Sequence, residues 1–378
     1  MEISTLYPLY DDWKPPILLE RQQELNEMLT RTALTNFPRN LWIQGTKGQG
    51  KTLTAHIFMD EIQARQVGKC FYVQCAPTFK QTLRNFCRKY NLAVPQYSLN
   101  TTQVLHSLAS AKEFEQAKRI ILILDDIDKL HHKNLLDGFA FQAYETLSDC
   151  HKQFSLIFIT RSSFLNRSRY FQEDTQSRLQ LFPILFKAYN AFQLEKIIRQ
   201  RIDLVLSPNQ YTQGAIRRLA ALMTRIGADM RKTLEILRNA IQIAEKVLDE
   251  KAIEQAWLSE KRRFWKEQLM QLPPHQALLL VIISQLQTRY DTITTNLILN
   301  HYHDFCKKFR VDPLSKRMVY FTIDNLENMG YIDRKRGSRL ENYITLTENP
   351  KNILDASTEI NWEELLVFRT VSPQQPSL

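Results

Sequence analysis

The amino-acid sequence predicts an α/β domain built on a five-stranded parallel sheet, followed by a helical domain and a C-terminal winged helix. Three observations carry this prediction. The first half alternates short apolar runs with helix-length segments, the middle keeps a helical period, and the last third places three helices before two short β-like pieces. Apolar strands separated by helices form parallel sheets that helices cover on both faces.

The five predicted strands are nearly continuous apolar runs, and they are residues 40–44, 69–75, 119–125, 154–160 and 179–186. From about residue 191 the apolar residues recur three and four apart, which indicates amphipathic helices. We therefore assign residues 1–188 to the α/β base, 189–263 to a helical lid, 264–349 to the winged helix and 350–378 to a loose C-terminal tail.

The winged helix is predicted from three helical patterns followed by YIDR and NYITL, which flank the basic string RKRGSRLE. Three helices and a hairpin form the winged variant of the helix-turn-helix. We expect the third helix to span residues 315–329. Its packing side is expected to consist of Met318, Phe321, Ile323, Leu326 and Met329.

Composition excludes several protein classes. Hydrophobic residues make up 44% and charged residues 24%, the balance of a globular protein and not of a disordered one. The longest apolar run has only seven residues, at 277–283, and the N-terminus lacks the apolar core of a secretory signal. Five scattered cysteines without a CxxC pair fit reduced thiols. We expect a cytoplasmic protein without a membrane span.

Charge is concentrated near the C-terminus. The chain carries a formal charge of +10, and nine basic residues stand against four acidic ones between positions 307 and 339. Half of the net charge therefore falls in that segment. A polyanion such as DNA is the favoured partner, while a membrane surface or an acidic protein stays open at this point.

A phosphate-binding loop is the most specific motif. The pattern G-x-x-x-x-G-K-T runs from Gly45 to Thr52, after a predicted strand and at the start of a helix. Backbone N–H groups of such a loop surround phosphates, the lysine reaches them and the threonine hydroxyl binds Mg²⁺. The predicted nucleotide contacts are Gly45, Thr46, Lys47, Gly48, Gln49, Gly50, Lys51, Thr52 and Leu53.

An acidic pair ends the third predicted strand, in RIILILDDIDKL. Asp125 is predicted to hold Mg²⁺ together with Thr52, because both lie at the carboxyl edge of the sheet. Asp126 occupies the position where many ATPases of this design carry a glutamate that polarises the attacking water. An aspartate reaches less far, so we expect slow hydrolysis.

These residues resemble the AAA+ replication initiators, the family of the archaeal origin-binding proteins and of the eukaryotic origin recognition and cell-division-control subunits. The resemblance covers about residues 15–347 and includes LLERQQEL, FYVQC, LDDID, FPILFKAYNAFQLEKIIRQRI, ADMRKTLEILRNA and PLSKRMVYFTIDNLENMGYI. It implies an α/β P-loop AAA+ base, a helical lid and a winged helix. It also implies ATP or ADP with Mg²⁺, origin-like duplex DNA, the replicative helicase, and other initiator copies or paralogues as partners.

The resemblance also implies roles for single residues. Arg231 in ADMR corresponds to the lid arginine that reaches the phosphates, and Arg178 to an arginine finger facing a neighbouring protomer. The adenine would be held by Pro16, Arg21, Tyr189 and Arg201. The family's sensor asparagine is replaced here, since Thr160 and Arg161 stand at the end of the fourth strand. Surface or core roles remain the alternatives for these side chains.

The DNA-binding end follows from the winged helix, whose third helix enters the major groove while its wing contacts the backbone or minor groove. The predicted groove-facing residues are Ser315, Lys316, Arg317 and Tyr320, and the predicted wing cations are Arg334, Lys335, Arg336 and Arg339. A solvated basic loop, or a protein-docking wing, is the alternative interpretation.

The sequence therefore favours an ATP-binding origin recognition protein that binds duplex DNA and helps load the replicative helicase, with ATP as a slow switch. An ATP-dependent DNA-bound regulator or remodeller is the main alternative. A winged-helix DNA binder with a vestigial ATP site is the third hypothesis.

Overall fold

The structure is a computed structural model that describes residues 5–10, 12–92, 101–109, 117, 119–132, 134–149, 153–162, 164–309, 311–336 and 342–368. The chain divides into two compact units, Met1–Ile253 and Glu254–Leu378. Each unit has a hydrophobic core of its own. No helix within the described ranges is long and apolar enough to cross a membrane.

The first unit contains a five-stranded parallel sheet, as predicted. Its strands are β1 (Leu41–Gln44), β2 (Lys69–Gln74), β3 (Arg119–Asp125), β4 (Gln153–Thr160) and β5 (Phe182–Leu185). Their order across the sheet is β2-β3-β4-β1-β5. The fifth strand begins later than predicted, because Leu179 still belongs to a helix and Gln180 then takes a left-handed conformation, with φ 44°.

Helices cover both faces of this sheet. They are α1 (Gln22–Thr32), α2 (Lys51–Ala64), α3 (Phe79–Lys89), α4 (Thr101–Ala109), α5 (Asn134–Asp149) and α6 (Glu173–Leu179). Alternate residues of β3 join different cores. Ile120, Leu122 and Leu124 pack on one face, whereas Ile121 and Ile123 pack on the other. This explains why the strand reads as an unbroken apolar run.

A helical subdomain, the lid, follows the sheet. Its helices are α7 (Ala191–Ile202), α8 (Gln213–Arg225) and α9 (Met230–Ile243). A short N-terminal strap, residues 7–10 and 12–18, lies against this subdomain. The Arg201 guanidinium donates to the carbonyl of Pro8 at 2.8 Å, and Arg238 donates to the carbonyl of Leu9 at 2.5 Å. Two lid arginines thus hold the strap.

The second unit is a winged helix. It consists of α10 (Glu250–Gln271, which begins just before the unit boundary), α11 (Pro274–Gln287), β6 (Ile293–Thr294), α12 (Thr295–Phe309), α13 (Lys316–Asn328), β7 (Ile332–Arg336), β8 (Asn342–Leu346), α14 (Pro350–Ser357) and α15 (Trp362–Phe368). The strands form an antiparallel sheet in the order β6-β8-β7. Helix α11 is buried nearly all round, as its apolar sequence requires.

The segment after residue 350 differs from the loose tail that the sequence analysis expects. It carries α14 and α15, and Ile353, Ala356 and Leu366 are fully buried in the core of the winged helix. The Trp362 indole donates to the carbonyl of Ser357 at 3.1 Å and connects the two helices. Polar residues between the apolar ones hid this helical spacing. Residues 369–378 lie outside the described part of the chain.

The packing side of α13 also needs correction. Val319, Ile323 and Leu326 are buried, at the three- and four-residue spacing of one helix face. Met318 and Phe321, which were predicted to pack, are exposed by 45% and 56% of their surface. Met329, also predicted to pack, follows the helix and is 54% exposed.

Candidate nucleotide and nucleic-acid sites

The carboxyl edge of the parallel sheet brings three segments together. Gln44 at the end of β1 is paired with Thr160 at the end of β4. On its other side β4 pairs with β3, where Leu124 lies opposite Phe158. The phosphate-binding loop, the acidic pair and the residues after β4 therefore meet at one edge, where ligands of such sheets bind.

The phosphate-binding loop is shaped by its glycines. Gly48 and Gly50 have φ values of 76° and 83°, in the left-handed region that glycine tolerates. A Cβ atom on Gly50 would lie 2.7 Å from the hydroxyl oxygen of Tyr189, so a side chain has no room there. Helix α2 begins directly after the loop, at Lys51. This arrangement presents a helix N-terminus to an anion.

Lys51 is the cation of this loop. Its Nζ donates to the carbonyl oxygens of Gly45 at 2.6 Å and Thr46 at 2.9 Å. Burial lowers the pKa of Lys51, while the nearby charges of Asp125 and Asp126 partly oppose that effect. The ammonium group is thus held inside the loop that phosphates would fill. The side chains of Thr46 and Lys47 are exposed on the same loop, and that of Leu53 is half-buried.

Asp125 and Thr52 bring two side-chain oxygen atoms together beside the phosphate-binding loop. The Thr52 hydroxyl donates to Asp125 Oδ2 at 2.7 Å, and the Tyr72 hydroxyl donates to the same oxygen at 2.9 Å. Asp125 is fully buried, and burial raises the pKa of its carboxyl group. Within the described residues no group of three or more metal-binding side chains exists. A magnesium ion here would take further ligands from phosphates and water, as Mg²⁺ prefers.

Asp126 is held by two donors. Its Oδ2 accepts from Gln74 Nε2 at 3.0 Å and forms an ion pair with Lys129 Nζ at 2.8 Å. Burial would raise the pKa of Asp126, but these bonds outweigh burial and the pKa is lowered. The carboxylate is therefore charged but occupied, and it sits on a left-handed residue with φ 56°.

Asp128, which the sequence analysis did not assign, organises the end of β4. Its carboxylate accepts from Thr160 Oγ1 at 2.8 Å, from the Arg161 backbone N–H at 2.5 Å and from Ser162 Oγ at 3.0 Å. The Tyr170 hydroxyl is a fourth donor, at 2.8 Å. Burial opposes ionisation, yet these hydrogen bonds lower the pKa of Asp128. Thr160 is thus directed toward Asp128.

The lid contacts the phosphate-binding loop through the turn before α9. The Met230 N–H donates to the carbonyl of Gly48 at 3.2 Å, and Gln49 Nε2 donates to the carbonyl of Gly227 at 3.1 Å. Arg231 follows in the first turn of α9, with an exposed side chain. The predicted lid arginine therefore stands one residue from a direct contact with the loop.

Arg21 and Tyr189 support the loop backbone. The buried Arg21 guanidinium donates to the carbonyl of Gln49 at 3.0 Å and to that of Lys187 at 2.5 Å. It stacks on the Tyr189 ring, 4.0 Å from its centroid, and the Tyr189 hydroxyl also donates to the Gln49 carbonyl. Both residues thus support the backbone of the loop, and their predicted adenine contacts stay predictions. Pro16 is exposed.

Arg201 likewise faces protein groups. Besides Pro8 it approaches the Trp13 carbonyl at 3.4 Å, and its guanidinium stacks 4.4 Å from the Trp13 ring centroid. Burial lowers the pKa of Arg201 to about 10. Arg201 thus contacts the strap, and its predicted adenine contact stays a prediction. The strap also reaches α2, because Lys14 pairs with Asp60.

Arg178 lies at the amino edge of the sheet, whereas the phosphate-binding loop of the same chain lies at the carboxyl edge. It lies in the last turn of α6, beside a cavity of about 330 Å³ whose lining includes Asn40, just before β1, and Gln153, the first residue of β4. Its guanidinium pairs with Glu145 at 3.4 Å and stacks 4.6 Å from the Phe141 ring centroid. Within this chain it stands at the edge opposite the phosphate loop.

In the second unit, α13 presents a basic N-terminal end. Ser315 caps the helix by accepting from the Met318 N–H at 3.4 Å. Lys316 and Arg317 are exposed, and Tyr320 one turn later is 37% exposed. The predicted groove-facing residues thus share the accessible end of the helix.

The predicted wing cations differ in their surroundings. Arg334 donates to Glu327 Oε2 at 2.6 Å and pairs with Asp324 at 2.6 Å, and these partners raise the pKa of Arg334. It therefore joins β7 to α13 and is corrected from a free cation to a structural one. Lys335 is exposed. The side chain of Arg336 and the whole of Arg339 lie outside the described residues.

Comparison with known proteins finds relatives of both units. A model of the CDC6 C-terminal winged helix domain matches residues 267–356, and an AAA domain model matches residues 38–167. The ORC1-type DNA replication protein 1 of Archaeoglobus fulgidus is 28% identical over 342 residues, covering 86% of this chain and 82% of the relative. The chain thus carries an AAA domain and a CDC6-type C-terminal winged helix, and over most of its length it is similar to ORC1-type DNA replication proteins.

Solved structures of these initiators share the fold. The ORC1 protein of Aeropyrum pernix in complex with DNA matches with a TM-score of 0.65 and 21% identity, covering 98% of this chain and 99% of that one. The ORC2 protein of the same organism, solved as ADPNP-ADP complexes, matches with a TM-score of 0.60 and 16% identity, covering 98% and 100%.

The sequence analysis missed residues that hold the side chains of other site residues in place. Asp128 stands in the quoted string LDDID, and its two-residue spacing from Asp126 was the available signal. Gln74 and Lys129, which hold Asp126, offered no pattern of their own. Trp13 precedes a proline pair in a segment without regular periodicity, so nothing in the sequence marked it as a partner of Arg201.

Proposed function

We propose that this protein binds ATP or ADP with Mg²⁺, binds origin-like duplex DNA through its winged helix, and helps recruit and load the replicative helicase. One observation carries the proposal. A single chain joins a glycine-shaped phosphate loop to a winged helix whose exposed helix end carries Lys316 and Arg317. The Aeropyrum relatives with DNA or with ADPNP and ADP support it.

In the nucleotide site, Lys51 and the loop backbone would hold the phosphates, and Thr52 and Asp125 would hold Mg²⁺. When bound, the metal neutralises phosphate charge. Arg231 would reach the phosphates from the lid. Because Gln74 and Lys129 occupy the Asp126 carboxylate, we infer slow hydrolysis, so that nucleotide acts as a switch. Arg178 would act as an arginine finger toward the nucleotide of a neighbouring copy of the protein.

In the DNA site, α13 would lie in the major groove and Lys335 would approach the backbone. Arg317 can donate two hydrogen bonds to guanine, a contact worth roughly 1–3 kcal/mol of discrimination. We place the protein at the nucleoid, where an origin-marking protein acts.

The test combines nucleotide and DNA binding. The wild type and Lys51→Ala are titrated with labelled MgATP, with Lys69→Ala as control, because Lys69 is exposed at the amino end of β2. We expect Lys51→Ala alone to lose binding. Wild type and Arg317→Ala are then titrated onto origin and scrambled duplexes at several salt concentrations, and Arg317→Ala should lose mainly the preference between them.

Chromosomal occupancy in cells separates the two candidate functions. A sharp peak at an origin supports the proposal. Peaks scattered over promoters, together with brisk ATP turnover, would instead indicate a DNA-bound regulator or remodeller.

A further inference from the structure

Phe321 is an exposed aromatic residue on the helix that we place in the major groove. It lies in the second turn of α13 and is exposed by 56% of its surface. The core of the winged helix uses the opposite side of this helix, where Val319, Ile323 and Leu326 are buried. The phenyl ring therefore takes no part in that core, and water surrounds much of it.

The ring shares a helix face with a cation. Phe321 follows Arg317 by four residues, so the two side chains lie on one face of α13, one turn apart. Arg317 is exposed as well. Met318 stands three residues before Phe321, at the other spacing of helix neighbours, and is 45% exposed. Neighbouring exposed apolar side chains mark a binding surface, and here they lie beside a guanidinium.

The charges around these apolar side chains favour a polyanion as their partner. Lys316 and Arg317 precede them on the helix, and Lys335 is exposed on β7. The acidic Asp324, three residues after Phe321, is paired with Arg334 at 2.6 Å and does not oppose an anion. The partner of this face therefore combines negative charge with an apolar group. Duplex DNA does so in its major groove, where thymine presents its methyl group.

We propose that Phe321 is a specificity-determining residue of α13 that contacts the methyl group of a thymine. This inference rests on the proposed binding of duplex DNA by the winged helix. Four helical residues rise by about 6 Å, close to two base-pair steps of roughly 3.4 Å. Arg317 and Phe321 therefore read a guanine and a thymine about two base pairs apart. Because the phenyl ring carries no charge, it acts on sequence preference and not on the salt dependence.

The experiment first selects bound duplexes from a randomised pool with the full-length protein. Each thymine of the selected site is then replaced singly by uracil, which keeps the base pairing and removes only the methyl group. At one thymine the wild type should lose about fourfold in affinity, or roughly 0.8 kcal/mol. A single buried methyl group contributes an amount of this size. The salt slope of binding should stay unchanged, since no charge is altered.

Protein variants assign this loss to Phe321. Phe321→Ala should bind the thymine duplex at least fourfold more weakly and should no longer distinguish uracil from thymine, because both changes remove the same contact. Phe321→Leu should keep part of the distinction, since leucine is also apolar. The matched control is Met329→Ala, which changes an apolar residue that is 54% exposed but follows the other end of the helix. It should distinguish uracil from thymine as the wild type does.

Two results would overturn the inference: no thymine of the selected site responds to uracil, or the response persists in Phe321→Ala. The uracil series on the wild type needs no substitution in the protein, so misfolding cannot mimic its outcome. Thermal unfolding checks the variants, whose fold should be intact because the ring is exposed. A wild type that enriches no sequence and binds no duplex would instead refute the proposed DNA site itself.

Discussion

Asp128 is the residue on which the end of β4 depends. It accepts from four donors, and an amide in its place would turn one acceptor oxygen into a donor facing donors. We expect Asp128→Asn to lower the free energy of unfolding by roughly 1.5–3 kcal/mol at pH 7, the contribution of hydrogen bonds to a charged group.

This effect should depend on pH. The pKa of Asp128 is lowered in the folded state, so the native state binds fewer protons than the unfolded one near that pKa. The stabilisation is complete above the ordinary carboxyl pKa of about 3.9 and is lost as the pH falls through the lowered value. Urea unfolding of the wild type and of Asp128→Asn at pH 7, 5 and 3.5 measures the difference between their free energies of unfolding. This difference should narrow at the lowest pH. Asp137→Asn should cost less than half as much, because Asp137 accepts from the Gln172 N–H and the asparagine amide oxygen can still accept that bond.

Asp126 allows a second test, of ATP turnover. Because Gln74 and Lys129 occupy its carboxylate, it is poorly available to a water molecule. We expect slow ATP turnover that changes at most about twofold in Asp126→Asn, whereas Lys129→Ala should raise it several-fold by releasing the carboxylate. Phosphate release at saturating MgATP measures the turnover rate of the wild type and of both variants. Brisk wild-type turnover that Asp126→Asn abolishes would show that the aspartate is already a competent base.

Among the elements, the wing strand β7 carries two neighbouring cations with different partners. Arg334 is paired with Asp324 and Glu327, whereas Lys335 is exposed. We expect Lys335→Ala to reduce the salt slope of DNA binding by about 0.9, the contribution of one neutralised phosphate. Arg334→Ala should leave the slope unchanged and lower the stability of the winged helix by about 1 kcal/mol. Duplex titrations at four salt concentrations and urea unfolding separate these effects, and equal slopes for both variants would contradict the assignment.

The elements also show what the sequence could predict. The parallel strands were predictable because β3 buries both faces and therefore reads as a single apolar run. The phosphate loop was predictable because its chemistry requires fixed residues at fixed spacing. Helices α14 and α15 were not, since their burial depends on the winged-helix core that they cover. Arg334 looked like a free wing cation because its partners lie seven and ten positions earlier, on another element.

Within the first unit, the N-terminal strap links the lid to α2, the helix that follows the phosphate loop. Arg201 and Arg238 of the lid hold it, and Lys14 pairs with Asp60 on α2. A lid tied in this way should open less readily, and bound nucleotide should leave slowly.

Removing one strap contact tests this link. We expect Trp13→Ala to increase the dissociation rate of a fluorescent ADP several-fold, because it takes away the ring on which Arg201 stacks. A chase with unlabelled ADP measures the rate. Phe37→Ala, which changes an aromatic residue that is 83% exposed, is the matched control. Equal dissociation rates in the two variants would mean that the strap does not restrain the lid.

The strap also has a consequence for biosynthesis. Arg201 and Arg238 stand 193 and 229 positions after the carbonyl groups that they bind. At roughly 5–20 residues per second, a ribosome needs on the order of 10–50 s to deliver those arginines after the strap has been made. The Arg238 guanidinium also stacks 4.3 Å from the Tyr10 ring centroid. During that interval Tyr10 and Trp13 therefore lack their arginine partners and are accessible to chaperones. The strap is translated before its binding partners and can be locked in place only after the lid has been synthesised.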